Sequence, residues 1–497
     1  MLPTADIPIK PKLSFSDLNH SRFFLIITIL TLQTCLIITC RFVSVPFFSS
    51  SSTITRPSLP NSVEPTSTTT AATTPKPIKA ANTTTVVGHS CLVGKIYVYD
   101  LPSIFNRDLV NACDDLNPWK SRCSALSNSG FGVPFSKKLS SIIPLSVLPA
   151  WYATDQFSGE IIYHRRILAH PCRTTDPSTA SVFYIPFYVG LAVGKVLWGE
   201  KINNTAAARD NDCIRLLDWI TQQPSWKKTG GNRHFMMVGR ISWDFRRSRD
   251  KDWGSSFLHM PLMRNVTRLL IERDPWDNRE FGVPYPTGFH PRSISDVRLW
   301  QTYILNTNRT TLFSFAGAAR SYIKNDFRGV LLSQCAKEGT PHCKSVDCSK
   351  SLCVDKKGNT LKLFLESKFC LQPRGDSYTR RSIFDCMIAG SIPVFFWKRS
   401  AYVQYDWFLP GKQEEYSVMV DRYGVRNGTV EIRKVLEALS EQRVRKMREK
   451  LVDLLPKLVY ALPETGLSSN NSTMEDAFDV AIYGVMTEWW KNSDSKI

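Results

Sequence analysis

The chain has 497 residues, of which 43% are hydrophobic and 11% aromatic, so it is neither a small module nor a disordered polymer. That length exceeds what one hydrophobic core supports and predicts two compact units with accessory segments. A balance of 63 basic against 44 acidic residues gives +19 and a pI near 9.4, which points to anionic partners: nucleic acid, acidic polysaccharide, a membrane surface or a phosphorylated donor. No nucleic-acid partner is expected, because no basic run has the density of a nucleic-acid tail and no zinc-finger, basic-zipper or RNA-recognition pattern occurs.

The first distinct element is "RFFLIITILTLQTCLIITCR", in which Phe23 to Cys40 form an uncharged run between Arg22 and Arg41. At about 1.5 Å per residue it is just long enough to cross a hydrocarbon core. A cleaved signal peptide would be shorter and end in small residues at a cut site; none follows Cys40. The expectation is therefore a cytoplasmic tail over 1–22, a signal anchor over 23–40 and a Ser/Thr/Pro-rich stem over 41–90, too poor in large apolar residues to fold. Lys10, Lys12 and Arg22 before the run outweigh Arg41 after it and favour a cytoplasmic N-terminus. Asn-x-Ser/Thr sequons at Asn82, Asn203, Asn265, Asn308, Asn427, Asn470 and Asn471, and all cysteines but Cys35 and Cys40, then fall on the lumenal side. Cys335, Cys343, Cys348 and Cys353 lack the Cys-x-x-Cys knuckle of structural zinc and read as disulfides. The odd lumenal count leaves one thiol unpaired or joined to another chain. This is the layout of a type II protein of the secretory pathway, whose bodies include glycosyltransferases, proteases and lectin-like receptors.

Strands are expected at "KIYVYDLP", "ASVFYIPFYVG" and "RHFMMVGR" in a first unit, 91–309, with helices such as "DCIRLLDWITQQ" between them. A second unit, 310–460, repeats the pattern through "TTLFSFAGAAR", "LKLFLESKFCL", "SIPVFF" and "EYSVMV", followed by one helix over "VEIRKVLEALSEQRVRKMREKLVDLL". Residues 461–497 form a closing helical segment. Alternating strands and helices predict parallel sheets covered on both faces, with a ligand cleft between the two units where strand C-termini meet.

The segment "FCLQPRGDSYTRRSIFDCMIAGSIPVFF" carries the sharpest local signal. A strand leads into a glycine loop and then a helix from about Tyr378, with Asp376 or Ser377 as N-cap and Gly390 as stop. Free amides at a helix start suit an anion such as a diphosphate. Arg380 and Arg381 in a first turn oppose the helix dipole, which again implies a compensating anion. Arg381 and Asp385, four apart, share a face; a plain solvated ion pair explains that spacing equally. "DND" (Asp210 to Asp212) and "DKD" (Asp250 to Asp252) read as a helix cap and a charged loop, so no metal site is expected.

"KIYVYDLPSIFN", "DPSTASVFYIPFY", "FSFAGAAR" and above all the Phe369 to Phe396 segment resemble the exostosin-type glycosyltransferases. "DQFSGEIIYHRRILAHPCRT", "NRHFMMVGRISWDFRR" and "REFGVPYPTGFHP" are similar to their plant branch of xyloglucan galactosyltransferases. The resemblance spans about Lys95 to Arg422. It implies an α/β fold of GT-B type, two Rossmann-like domains facing a cleft, and an inverting transfer of galactose from UDP-galactose to xylose on xyloglucan, with no cofactor and no metal. It also implies the Golgi membrane and association with other cell-wall glycosyltransferases. Relatives transfer galacturonic acid or arabinose, and a non-catalytic binder of acidic polysaccharide is the competing class. Ser391 departs from the Cys usual in the Gly-Cys-Ile-Pro-Val run, which puts a disulfide in doubt.

On this resemblance Gly375, Asp376, Ser377 and the helix start hold the diphosphate and sugar, Arg381 and Arg320 supply counter-charge, and Asp385 stands where the family grips the ribose. An inverting transfer needs a base for the acceptor hydroxyl, expected from the first unit. "WYATDQFSGEIIYHRR" offers Asp155, Glu160 and His164, with Asp244 a further candidate. A buried Glu–His pair holding a helix in place is the bland alternative, and the sequence does not rank these groups.

Overall fold

The apolar runs set out two parallel sheets in a computed structural model that describes residues 91–494 except 92, 136, 199–204, 321–322, 325, 350–352, 354–356, 464–467 and 470–471. The expected tail, anchor and stem lie outside the described residues, as do Asn82, Asn203, Asn470 and Asn471. Among the described residues no helix is long and apolar enough to cross a membrane.

In the first half, β1 (Ile96–Val98), β2 (Arg173–Thr174), β3 (Val182–Tyr184), β4 (His234–Ile241), β5 (Thr267–Glu272) and β6 (Glu280–Gly282) pair in the order β2-β1-β3-β4-β5-β6, all parallel. In the second, β7 (Thr311–Gly317), β8 (Cys343–Asp347), β9 (Ser367–Gln372), β10 (Ile392–Phe395) and β11 (Val418–Met419) pair as β11-β10-β9-β7-β8, again parallel. Parallel strands need covered faces, which is why β4 reads "HFMMVGRI" and is buried from His234 to Arg240. Strands β2, β5, β6 and β8 escape the sequence pattern. In β5 the break is Arg268, fully buried inside the strand because its guanidinium donates to Met263 O (2.8 Å) and Val266 O (2.7 Å) and pairs with Asp277.

Three expected elements are corrected. "LKLFLESKFCL" is not one strand: Lys357–Leu365 is helical and β9 starts at Ser367. Buried Leu361, Phe364 and Leu365 follow helical spacing, and the Arg309 guanidinium takes the carbonyls of Phe364 and Ser367, ending the helix there. The long helix after Val430 divides into Ile432–Glu437 and Glu441–Leu454, because Ser440 caps the second by accepting from Arg443 N at 3.2 Å. The helix expected from Tyr378 starts only at Ser382, since the Tyr378 and Thr379 amides donate to Glu272 instead. Gly390 ends it with φ +68°, the left-handed turn that glycine makes without strain.

The halves exchange elements. Helix Ile294–Asn306 packs on the second half, where Trp300 Nε1 donates to Ile388 O (2.9 Å) and Gln301 Nε2 to Val452 O (2.9 Å). Helix Ala477–Asp494 returns to the first half: Phe478 packs on Tyr163, and Asp476 pairs with Arg166. All described residues belong to one compact unit. Disulfides join Cys91–Cys172, Cys113–Cys123, Cys335–Cys343, Cys348–Cys353 and Cys370–Cys386, leaving Cys213 as the free, buried thiol among the described residues. The four-cysteine cluster thus pairs as two disulfides. Ser391 is buried beside the last bridge, its hydroxyl unpartnered.

Candidate active site

Between the C-terminal ends of the two sheets lies a cleft of about 320 Å³, at the lower end of the roughly 300–1,000 Å³ typical of small-molecule sites. Its wall from the first half includes Phe157, Ile241, Glu272 and Tyr285; its wall from the second includes Ala316, Arg328, Gly375, Thr379 to Ser382 and Asp385.

The loop after β9 is folded tightly against itself. A Cβ on Gly375 would lie 1.9 Å from Thr379 O, so only glycine allows the loop to close. Arg320 braces it. Its guanidinium is clamped by Asp326 (2.7 Å) and donates through Nη1 to Gly375 O at 3.1 Å. Arg320 is therefore a positioning group, its charge already matched. Arg328 donates to Arg374 O at 3.3 Å and lies 3.4 Å from Asp376, whose side chain is 80% exposed.

Arg380 is different. Its Nη2 donates to Ala316 O at 2.6 Å, while its Nη1 is sealed from solvent without a partner, and burial pushes the guanidinium down to about 9. A cation in that state awaits an anion. Arg381 donates to Thr154 O across the cleft (2.9 Å) and pairs with Asp385 at 3.3 Å, the helical spacing expected. Four arginines, Arg320, Arg328, Arg380 and Arg381, thus converge on the loop and the helix start, where Asp376 lies near Arg328 and Asp385 pairs with Arg381.

Opposite them stands Glu272, at the end of β5. It is fully buried, accepts from Tyr285 Oη (2.8 Å) and from the amides of Tyr378 (3.0 Å) and Thr379 (3.2 Å), and burial pushes it up to about 7.

The other candidate bases sit elsewhere. Asp155 pairs with Arg122 at 3.1 Å and accepts from Phe157 N. Glu160 is buried under β4, accepting from Gly190 N (2.6 Å) and Gly239 N (3.1 Å), and burial pushes it up to about 7. His164 meets Tyr188 Oη at 2.8 Å, and burial lowers it to about 4. Glu160 and His164 do share a helix face, but that face packs on the segment beginning at Tyr188. Asp244 is held by Arg240 (2.6 Å) and Trp253 Nε1 (2.8 Å). The cleft wall is formed by their neighbours Gln156, Phe157 and Ile241. Of the donor-side residues, Gly375, Asp376, Arg381 and Asp385 line the cleft, Ser377 lies in the same loop, and Arg320 stands behind it. Glu272 and Arg328 complete the site without having been singled out in the sequence, and Arg380, read there as a first-turn cation that implies an anion, joins them. The one signal for Glu272 was its place at the end of the apolar run "RLLI".

The two Asp-x-Asp motifs meet away from this cleft. Arg247 pairs with Asp210, and Arg209 donates to the carbonyls of Asp250 and Asp252 at 2.7 Å, a structural tie.

The exostosin GT47 domain matches residues 90–436. The chain belongs to the exostosin GT47 family. It is a glycosyltransferase. It is 56% identical over 407 residues to xyloglucan galactosyltransferase XLT2 of Arabidopsis thaliana, covering 81% of this chain and 77% of the relative. To xyloglucan galactosyltransferase MUR3 of the same plant it is 39% identical, over 82% of this chain and 64% of that one. To xyloglucan-specific galacturonosyltransferase 1, also of Arabidopsis thaliana, it is 40% identical, over 79% and 57% respectively.

Proposed function

We propose that this GT47 enzyme is an inverting β-1,2-galactosyltransferase of GT-B architecture that moves galactose from UDP-galactose to xylose side chains of xyloglucan, a step in cell-wall synthesis. The observation that carries the mechanism is the facing of an arginine-rich glycine loop by a single buried carboxylate. Arg380, with an unpartnered Nη1, and Arg381 meet the diphosphate and stabilise the charge that grows on UDP as the glycosidic bond breaks. On this reading the arginines supply the counter-charge and no metal takes part. Asp385, one helical turn on, takes the ribose hydroxyls. Glu272 accepts the proton of the attacking xylose hydroxyl; a carboxylate held near 7 is suited to that exchange.

The test is a donor and acceptor screen with the purified full-length protein. UDP release with UDP-galactose and xylosylated glucan oligosaccharide supports the reading; no turnover with any UDP-sugar, together with tight binding of an acidic polysaccharide, overturns it. The galacturonosyltransferase among the relatives makes UDP-galacturonic acid the second donor to try, with UDP-arabinose a third.

The location proposed is the Golgi membrane, with the body lumenal and other cell-wall glycosyltransferases as neighbours. Five disulfides suit an oxidising lumen, and the exposed sequons Asn308 and Asn427 are open to a glycan.

A further inference from the structure

Three aromatic side chains gather against the glycine loop that borders the cleft, each on a loop that leaves the C-terminal end of a parallel strand. Trp276 follows β5, Tyr378 lies in the glycine loop after β9, and Trp397 follows β10. Their rings form a chain, with centroids 6.1 Å apart from Trp276 to Tyr378 and 5.6 Å from Tyr378 to Trp397. Trp276 comes from the first half and the other two from the second, so the chain spans both. Arginines steady the rings: Arg399 lies 4.6 Å from the Trp276 centroid and 5.7 Å from that of Trp397, and Arg422 lies 5.6 Å from the latter. Trp276 is nonetheless 66% exposed.

An indole held in place yet left open to water has its orientation set without its apolar surface being buried, which is the condition of a contact waiting for a ligand. The position identifies that ligand. The Tyr378 amide donates to Glu272, and the next residue, Thr379, lines the cleft, so anything lying on these rings is beside the proposed base. The diphosphate is accounted for by the arginines inside the cleft, which leaves the acceptor for the rings beside it. A β-linked glucan is neutral, and its sugar rings present C–H-lined faces that stack on indole and phenol.

We propose that Trp276, Tyr378 and Trp397 form an acceptor shelf on which the neutral glucan backbone of the polysaccharide lies while one xylose branch enters the cleft. This rests on the galactosyltransferase reading.

The experiment uses the full-length protein carrying Trp276→Ala, Trp397→Ala or both, with UDP-galactose and two acceptors, a single xylosylated repeat and a chain of several repeats. Each single variant is expected to raise KM for the long acceptor about tenfold, the double variant further, with kcat and UDP affinity unchanged. Trp276→Phe should recover part of the loss, since a ring remains. Unchanged KM for the long acceptor overturns the shelf. So does a parallel fall in UDP affinity, which would make the rings part of the donor site, or a loss that disappears at high salt, which would make the arginines the binding element for an acidic chain. If the wild type transfers no galactose, the functional reading fails separately. Direct calorimetric binding of unbranched gluco-oligosaccharide to wild type and variants then decides the shelf alone: retained binding in the variants overturns it.

Discussion

Replacing Arg380 by Met should make the empty protein no less stable and its grip on UDP much weaker. The guanidinium donates to Ala316 O at 2.6 Å, lies 5.5 Å from the Phe315 ring centroid and has one sealed nitrogen without a hydrogen-bond partner. Its fall from 12.5 to about 9 corresponds to roughly 3–5 kcal/mol of unfavourable burial. Because a base depressed in the folded state destabilises that state wherever it is charged, this cost is present in full at neutral pH. Methionine removes it and leaves the Ala316 carbonyl short of a donor, at about 1–3 kcal/mol. The apparent melting temperature of the apo protein should therefore hold or rise. The diphosphate loses a buried charge partner worth about 2–4 kcal/mol, a roughly 30- to 1,000-fold weaker UDP complex. Thermal melts with and without UDP, with calorimetry, read both quantities. A variant that melts far lower yet binds UDP normally would show that Arg380 is a structural strut and refute the reasoning.

Glu272→Gln should lower kcat about 10²- to 10⁴-fold with donor KM within a few-fold, and the acid limb of the pH–rate profile near 7 should vanish; an unchanged profile would remove the base assignment. Asp385→Ala should weaken UDP-galactose binding about tenfold by calorimetry, because a charged hydrogen-bond acceptor for the ribose is lost. Unchanged affinity would leave Asp385 as the partner of Arg381 alone. Glu160 has its folded value raised by burial from 4.5 to about 7, so its contribution is intact below about 4.5 and declines as pH rises through 7, by roughly 3 kcal/mol. Glu160→Gln should flatten the loss of melting temperature between pH 5 and 8, and an identical slope in the variant would contradict that.

Much of this was legible because period-two and continuous apolar runs mark buried strands directly. The strands at Ile96, Val182, His234, Thr311 and Ile392 and the glycine loop at Gly375 all stand where the pattern puts them. What escaped did so for physical reasons. A buried arginine with carbonyl partners, Arg268, disguises β5 as a charged loop, and with it hides Glu272 at the strand's end. Spacing places Glu160 and His164 on one helix face, but says nothing of whether that face looks into the cleft or, as here, onto the Tyr188 turn. Sequence likewise picks Arg381 and Arg320 as the counter-charges and leaves Arg380 as a first-turn cation beside them. Only coordinates show that the first two have acid partners and the third does not.

The most direct test of the whole account is the linkage and anomeric configuration of the product, read by NMR after the full-length protein has turned over UDP-galactose with a xylosylated glucan oligosaccharide. The expected product carries a new β-linked galactose on O2 of a xylose branch. An α-linked product, a galactose on the glucan backbone, or free galactose alone would contradict it.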